Sequence, residues 1–347
     1  MCPPGGAGRY PGKAGDQVTQ PPTGSVQPLD VFAAIADDLQ QVERAIHQAL
    51  KTPDQFLGEV SAHLLRAGGK RIRPALVVLA SKFPGVDLQR VIPVAVAVEL
   101  IHNASLVHDD VVDEATVRRG QPTVGAKWSN QVAVLLGDYL FAKGFSLLAE
   151  TGNNRIVRLM ADAVYEMSRG ELAQMASYFY TDQTEAEYYE RIRQKTGYLI
   201  AESCRLGALM AGVPEEKVQA LYNYGMGVGL GFQIADDLLD FQGSAAKVGK
   251  PVCGDLKEGI LTLPVIHALH TSPRAAELRA LIETKRITDD DIAWVKALLE
   301  EAGSFEYARE QALMHLNRGV AQLESVPDLT TRPALEALAE FVISRQF

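Results

Sequence analysis

The fold is decided by the stretch Val91-Ile-Pro-Val-Ala-Val-Ala-Val-Glu-Leu-Ile-His-Asn-Ala-Ser-Leu-Val107, which as a helix would be apolar on nearly all sides. A helix of that composition is buried inside a fold rather than laid on its surface. The run is shorter than the roughly 20 apolar residues that span a bilayer, and it contains Glu99 and His102. It therefore predicts the central helix of a large core and no transmembrane segment.

An aspartate cluster ends this helix, and a second cluster occurs later in the chain. The first reads Asp109-Asp-Val-Val-Asp113 and the second reads Asp236-Asp-Leu-Leu-Asp240. The outer aspartates of each cluster are four residues apart and share a helix face. Carboxylates at the mouth of a buried helix are costly without a cation, and oxygen ligands suit Mg²⁺, which bridges them to substrate phosphates. Two clusters indicate one phosphate-bearing substrate held from two sides, although either motif alone is typical of a solvated helix face or cap.

Helical periodicity continues through most of the chain, and alternating strand patterns are almost absent. We predict an all-α fold, a single large helical bundle of roughly a dozen helices around a deep central cavity. Residues 1–28 are rich in glycine, proline and polar residues and predict a disordered tail, so that residues 29–347 form the folded domain. The predicted helices are 31–50, 55–65, 74–81, 92–112, 131–150, 155–178, 184–212, 215–241, 262–270, 288–303, 307–324 and 332–345.

Composition narrows the class of protein. A net charge of −9 argues against a nucleic acid as the partner. The three cysteines, Cys2, Cys204 and Cys253, have neither a pairing pattern nor metal-ligand spacing. Since no signal-peptide pattern opens the chain, we expect free thiols in a cytoplasmic protein.

Two basic motifs could bind phosphate groups. In Gly68-Gly-Lys-Arg-Ile-Arg-Pro74, the glycines allow a close backbone approach, and Lys70 and Arg73 supply charge for phosphate oxygens. Alone, this motif is better explained as a helix end followed by solvated basic residues. Arg118 and Arg119 follow the first aspartate cluster, where they form either a salt-bridge network or a diphosphate site beside bound metal. Three nearby carboxylates favour the metal-assisted interpretation.

Other polar residues have two interpretations each. His102 lies two helical turns before Asp109 on the same face, either as a core histidine or as a ligand contact. Glu171 and Gln174 either line a cavity or form the polar side of their helix. Lys195 is either solvated or a phosphate contact.

In order, the motifs resemble those of the trans-isoprenyl diphosphate synthase family. They are Gly-Gly-Lys-x-x-Arg-Pro, Asp-Asp-x-x-Asp-x₄-Arg-Arg-Gly, Lys-Thr-Gly, Gly-Phe-Gln-x-x-Asp-Asp-x-x-Asp and Gly-Lys-Pro. Lys250 and Lys257 flank Gly254-Asp255 in a glycine-rich stretch of the kind that often forms a mobile lid. Details at 126–130, 191–196 and 201–209 are similar to the larger, catalytic subunit of bacterial heptaprenyl diphosphate synthases.

The resemblance implies a role for each motif position. Isopentenyl diphosphate would be bound by Lys70, Arg73, His102 and Arg119. Three Mg²⁺ ions on the allylic diphosphate would be held by Asp109, Asp113, Asp236 and Asp240. The allylic diphosphate itself would be contacted by Arg118, Lys195, Thr196, Gln233 and Lys250. Catalysis would depend chiefly on Asp109, Asp113, Asp236, Lys195 and Lys250.

The implied reaction is a Mg²⁺-dependent, head-to-tail condensation of isopentenyl diphosphate onto an allylic diphosphate. Ala104 and Ser105 are small, lie about one turn before Asp109 and leave the product tunnel open, which implies a long chain. We expect a heptaprenyl product, within the hexa- to octaprenyl range, for quinone side chains such as that of menaquinone. We also expect a homodimer, or a heterodimer with a small non-homologous subunit, and peripheral membrane contact for product release.

Four alternatives stay open. A short-chain farnesyl or geranylgeranyl diphosphate synthase would share the motifs, whereas a class I terpene cyclase usually lacks the second basic site because it uses one diphosphate. An HD-type phosphohydrolase, suggested by His108-Asp109, needs further histidines in register and leaves the second cluster without a role. A non-catalytic helical subunit is disfavoured by the intact metal motifs, and a metal-dependent turnover assay would decide it.

Overall fold

The computed structural model describes residues 32–242 and 253–344, so the predicted tail and Lys250 lie outside the described residues. Over these ranges the chain is almost entirely helical, which confirms the all-α prediction. The helices are α1 (Ala36–Ala49), α2 (Gln55–Arg66), α3 (Ile72–Ser81), α4 (Leu88–Val112), α5 (Val124–Lys127), α6 (Asn130–Glu150), α7 (Asn154–Ala176), α8 (Glu185–Ile192), α9 (Tyr198–Ala211), α10 (Glu215–Gln242), α11 (Gly254–Glu258), α12 (Leu263–Thr271), α13 (Ala275–Glu283), α14 (Asp289–Glu301), α15 (Ser304–Ala321) and α16 (Arg332–Ser344). Short 3₁₀ turns cover Ala33–Ile35 and Gln322–Ser325.

Helix α4 is the buried centre of the fold, as its apolar sequence predicts. It packs against α3, α6 and α9, and most of its side chains are inaccessible. The helix begins at Leu88, earlier than predicted, because the Asp87 side chain accepts a hydrogen bond from the Gln89 amide at 3.0 Å and caps it. Both α4 and α6 are long and apolar enough to cross a membrane, but burial in the core accounts for the composition of α4.

Helix α10 carries the second aspartate cluster and packs closely against two neighbours. A Cβ atom on Gly229 would lie 2.7 Å from the Cα of Gly197, and one on Gly227 would lie 2.7 Å from the Cα of Gly319. Larger residues would push these helices apart. The close packing therefore brings the backbone before α9 directly against the helix of the second cluster.

The segment predicted as one helix over 184–212 is helical from Glu185 to Ala211, but its geometry changes in the middle, which was not predicted. A capping box between Thr184 and Glu187 starts α8, and a five-residue π-helix, Arg193–Gly197, separates α8 from α9. A π-helix adds a residue to the turn and changes the direction of the side chains that it carries. Here those side chains include Lys195 and Thr196, which come to face the aspartate clusters.

A short hairpin after the first cluster was also not predicted. Strand β1 (Val117–Arg118) pairs with β2 (Gln121–Pro122) in antiparallel register, Val117 opposite Pro122 and Arg118 opposite Gln121. Arg119 and Gly120 form its loop with φ of 53° and 73°. Positive φ at both loop positions matches the twist of a two-residue hairpin. Arginine is an unusual residue in such a loop, which is why the sequence did not predict the hairpin. Helix α13 was also not predicted.

Helices α6 and α7 expose apolar side chains. On α6, Leu135 is 67% exposed and Val134 is 40% exposed. On the neighbouring α7, the exposed apolar residues are Tyr165, Leu172 and Met175. We refer to these five side chains as the α6–α7 apolar face. Large exposed apolar side chains on neighbouring helices are a feature that sites of association use.

Candidate active site

The first aspartate cluster forms the last turn of α4. The Asp113 amide donates to the carbonyl of Asp109 at 2.8 Å, so the helical turn continues one residue past Val112. The middle residue, Asp110, is only 8% exposed and accepts a 2.5 Å hydrogen bond from Nε of Arg118. Asp110 therefore anchors the hairpin, while Asp109 and Asp113 are the more accessible carboxylates of the cluster.

The second cluster has the same division between its members. Asp237 is buried and accepts hydrogen bonds from the Tyr188 hydroxyl at 2.7 Å and from Nε2 of Gln233 at 2.8 Å. Asp240 accepts from the amides of Gly254 at 3.1 Å and Asp255 at 3.3 Å, which ties α10 to α11. Asp236 is exposed. In both clusters the middle aspartate is bonded into the fold, whereas Asp109 is half-buried and Asp236 is exposed.

The π-helix lies between the two clusters. Nζ of Lys195 is 2.7 Å from Oε2 of Glu171 on α7, and the Thr196 hydroxyl donates to Oε1 of Gln233 at 2.6 Å. Gln233 in turn donates to Asp237. A continuous chain of contacts therefore runs from α7 through the π-helix to the second cluster. It places the predicted residues Lys195, Thr196 and Gln233 in one site.

The pKa values of the aspartates indicate a site that favours a cation. Burial raises the pKa of Asp109 to about 6, with the Glu171 charge adding to the effect and Lys195 opposing it. Burial also raises the pKa of Asp237 to about 7, with Asp255 adding to the effect. A bound cation stabilises the ionised carboxylates and reverses both changes. The donor set therefore fits a hard divalent cation.

Protein ligands alone do not enclose an ion here. Among the residues that the structure describes, no three histidine, cysteine or acidic side chains converge as a cation cage. That arrangement fits Mg²⁺, which uses one or two carboxylates and completes its shell with water and substrate phosphates. Asp109, Asp113 and Asp236 are the accessible carboxylates that could supply those ligands.

A basic cluster lies along α4, about two helical turns before the first aspartate cluster. Arg73 NH1 is 3.0 Å from Nε2 of His102, and Arg119 NH1 donates to the carbonyl of Gly68. These contacts bring Arg73, His102 and Arg119 together, with Lys70 in the loop that connects α2 to α3. Nε of Arg73 is buried and has no hydrogen-bond partner in the described part of the chain. A buried donor without a partner beside two further cations fits an anionic ligand.

His102 is a neutral member of that cluster. Burial lowers its pKa well below the usual value, and the positive charges of Arg73, Arg119 and Arg118 lower it further. Its Nε2 therefore accepts the hydrogen bond from Arg73, and Nδ1 carries the proton. Burial also lowers the pKa of Arg73, to about 10, so the guanidinium stays charged at neutral pH.

Sequence reasoning gave Arg71 and Glu99 no role in the site, yet they are bonded at its edge. NH1 of Arg71 donates to Oε1 of Glu99 at 2.8 Å, and the same guanidinium binds both oxygens of Glu43 on α1. Glu99 interrupts an apolar run, and that was the signal that could have identified it.

The remaining predicted residues are placed as follows. Ala104 is fully buried, and the Ser105 hydroxyl donates to the carbonyl of His102 at 2.9 Å. Gln174 is buried and donates to Glu171 at 3.2 Å, so this pair belongs to the site rather than to a solvated face. Lys257 pairs with Asp289 at 2.5 Å, outside the clusters.

Comparison with known proteins supports the same assignment. Residues 54–300 match the sequence profile of the family described as "Polyprenyl synthetase". Heptaprenyl diphosphate synthase component 2 of Geobacillus stearothermophilus is 42% identical over 317 residues, which cover 91% of this chain and 98% of that protein. The family resemblance predicted from the motifs is confirmed.

Solved structures of related enzymes resemble the fold of this chain. A decaprenyl diphosphate synthase from Rhodobacter capsulatus gives a TM-score of 0.87 at 37% identity, covering 92% of this chain and 100% of that one. A polyprenyl synthase from Caulobacter crescentus CB15, complexed with calcium and isoprenyl diphosphate, gives a TM-score of 0.85 at 34% identity. The match covers 94% of this chain and 100% of that one. The fold therefore agrees with proteins of known structure.

Proposed function

The chain belongs to the polyprenyl synthetase family, and we propose that it condenses isopentenyl diphosphate onto an allylic diphosphate to make a heptaprenyl product. It is a prenyltransferase and a long-chain trans-polyprenyl diphosphate synthase. One observation supports this reaction above the alternatives. The π-helix contacts the helix of the second aspartate cluster, and its Lys195 acts on Asp109 of the first, while a separate arginine cluster lies about two turns before Asp109 along α4. Two diphosphate-binding places in one fold suit a two-diphosphate condensation rather than a cyclase.

The allylic diphosphate belongs beside the aspartates. Asp109, Asp113 and Asp236 would hold divalent cations, three Mg²⁺ ions in our proposal, which neutralise the departing diphosphate. Calcium in the Caulobacter crescentus complex supports a divalent cation in this family. Lys195 and Thr196 lie in contact with the groups around the two clusters and would bind the same diphosphate. Asp240 is engaged by two backbone amides, so its main contribution would be to hold α10 and α11 together.

Isopentenyl diphosphate belongs beside the basic cluster. Lys70, Arg73 and Arg119 supply positive charge, and neutral His102 keeps Arg73 in position through its Nε2. After ionisation of the allylic diphosphate, the double bond of isopentenyl diphosphate attacks the carbocation. A proton is then lost, and we assign its acceptance to the released diphosphate. The apolar helices around α4 exclude water that would otherwise trap the cation.

Small side chains on α4 support a long product. Ala104 and Ser105 precede Asp109 by about one turn, and neither blocks a chain that grows along α4 from the first cluster. The Geobacillus stearothermophilus relative carries the name of a heptaprenyl diphosphate synthase. We assign the product to quinone side chains, such as that of menaquinone, and the enzyme to the cytoplasm, with peripheral membrane contact for product release.

The exposed α6–α7 apolar face supports association with a second chain. That relative is named component 2, which suggests a companion subunit. We propose that the chain works with a small, non-homologous partner that helps to set product length, with homodimerisation as the second candidate. All the motif residues are in this chain, so chemistry resides here with either partner.

One experiment tests both product and partner. The purified full-length chain, alone and co-expressed with each candidate small subunit, is incubated with farnesyl diphosphate, labelled isopentenyl diphosphate and Mg²⁺. Chromatography should show a heptaprenyl product, and chelation of the metal should abolish it. A product that stops at the farnesyl or geranylgeranyl length would favour the short-chain alternative. A stable homodimer with full long-chain activity would exclude the heteromeric arrangement.

A further inference from the structure

Glu99 is a buried carboxylate whose charge acts on several arginines of the basic cluster. Its side chain is 5% exposed and accepts the 2.8 Å hydrogen bond from Arg71. Burial lowers the pKa of Arg73 and of Arg119, and the Glu99 charge opposes that change at both. Glu99 also lies one turn before His102 on α4. It therefore reduces the mutual repulsion of the guanidinium groups from within the fold.

Arg71 connects Glu99 to the loop that carries the phosphate-binding residues. Its guanidinium donates to Glu43 at 2.8 and 2.9 Å in addition to Glu99. The backbone of Arg71 is left-handed, with φ of 51°, a conformation that is unfavourable for a non-glycine residue. Lys70 precedes this strained residue and Arg73 follows it by two positions. The side-chain bonds of Arg71 offset the backbone cost and hold the turn.

We propose that Glu99 and Arg71 form a positioning pair for isopentenyl diphosphate. Neither residue contacts the substrate; together they hold the turn from Lys70 to Arg73 in its binding conformation before the diphosphate arrives. The inference rests on the proposed assignment of Lys70, Arg73 and His102 to that diphosphate. Preorganisation of this kind improves binding by removing the cost of ordering the loop.

The positioning pair should affect one substrate and not the other. The residues around the allylic diphosphate are held by different contacts, namely those of Glu171 with Lys195 and of Thr196 with Gln233. Loss of the pair should therefore raise the KM for isopentenyl diphosphate and leave the KM for the allylic diphosphate unchanged. A general loss of stability would not separate the two substrates in this way.

The test uses Glu99→Gln in the full-length enzyme, with Glu202→Gln as the matched control. Glu202 is 1% exposed, and one of its oxygens lies 2.9 Å from NH1 of Arg205. Glu99 is 5% exposed, and its distance to NH1 of Arg71 is 2.8 Å, so the two pairs have similar burial and length. Both arginine side chains are 15% exposed. Glu99→Gln should raise the KM for isopentenyl diphosphate about 10-fold or more, because the glutamine lacks the negative charge that pairs with Arg71 and offsets the repulsion among the guanidinium groups. The KM for farnesyl diphosphate should stay within about twofold, and Glu202→Gln should change neither KM.

Two further variants keep the result interpretable. Glu43 is 39% exposed, so Glu43→Gln removes one of the two negative charges that pair with Arg71 at a more solvated position, and it should raise the same KM by a smaller factor. Lys70→Ala should also raise the KM for isopentenyl diphosphate. If it does and the Glu99 and Glu43 variants do not, the positioning role is overturned and the site assignment stands. If Lys70→Ala has no effect, the site assignment fails, and the positioning role fails with it. Equal increases in both KM values for Glu99→Gln would also overturn the proposal.

Discussion

The hydroxyl of Thr196 donates a 2.6 Å hydrogen bond to Oε1 of Gln233, and this contact joins the π-helix to the helix of the second aspartate cluster. Because its oxygen is occupied, Gln233 turns its amide nitrogen toward Asp237, 2.8 Å away. The Thr196 hydroxyl thus orients Gln233, which in turn donates to Asp237. The π-helix therefore carries a side chain that contacts the helix of the second cluster.

Removal of this hydroxyl should weaken catalysis without unfolding the protein. We expect Thr196→Val to lower kcat/KM for the allylic diphosphate by about 10-fold, the effect of losing one well-placed hydrogen bond. Thr196→Ser keeps the hydroxyl and should retain most of the activity. Steady-state kinetics with both substrates varied would check this. Equal activity of the valine and serine variants would show that the hydroxyl has no part in the reaction.

Removal of an accessible aspartate should have a much larger effect. Asp109→Ala or Asp236→Ala deletes a carboxylate that would hold a cation on the departing diphosphate, so turnover should fall by roughly 10³-fold or more. Circular dichroism should show an unchanged helical content. Asp290→Ala, at an exposed position in the first turn of α14, is the control and should keep full turnover. Near-normal activity of either cluster variant at ordinary Mg²⁺ would refute the metal assignment.

A bulky residue before the first cluster should shorten the product. Ala104→Phe or Ser105→Phe would place a ring about one turn from Asp109, and we expect a shift toward farnesyl or geranylgeranyl length. Ala104 is fully buried, so its variant should also lose roughly 1–3 kcal/mol of stability through overpacking. Ser105 is less buried and offers the cleaner measurement.

Chromatography of the labelled products would check the shift, with thermal unfolding as the test of stability. Ala293→Phe, at an exposed position on α14, provides the control for an added ring remote from α4. An unchanged product distribution in both α4 variants would place the end of the tunnel elsewhere.

Much of the fold could be predicted from the sequence because its strongest signals are local. The apolar run of α4 and the spacing of the aspartates predict a buried helix with carboxylates at its end. The start of the helix predicted over 288–303 is likewise confirmed, because the Thr288 side chain accepts from the Asp291 amide and caps the helix. Local patterns of this kind need no knowledge of distant parts of the chain.

The rest of the site depends on contacts between distant residues. The π-helix follows from packing, since Gly170 and Gly229 let neighbouring helices press against Gln194 and Gly197. Arg71 pairs with Glu43 and Glu99, each 28 positions away, and no local pattern connects them. The middle aspartates were likewise not separable from the outer ones by sequence spacing. Their anchoring role becomes visible only when Arg118 and Tyr188 are seen in contact with them.

The stability of the protein should depend on pH through Glu202. Burial raises the pKa of this side chain from an ordinary value of 4.5 to about 7, and the Arg205 charge only partly opposes the change. Between these values the folded protein keeps the proton and the unfolded chain releases it. The contribution of Glu202 to the free energy of unfolding therefore falls as the pH rises from 4.5 to about 7, by about 3 kcal/mol in total, and does not change further above that pH.

Asp109 and Asp237 also have raised pKa values, which change the stability with pH in the same direction. Glu202→Gln removes the titration of Glu202 alone, so comparison with the wild type separates its effect from theirs. Denaturant unfolding of both proteins at pH 5 and pH 8, without divalent metal, measures the difference. The glutamine variant should gain stability relative to the wild type at pH 8 and show little difference at pH 5, because the wild-type carboxyl is then protonated in the folded state. A difference in stability that is the same at both pH values would show that Glu202 does not titrate in this range.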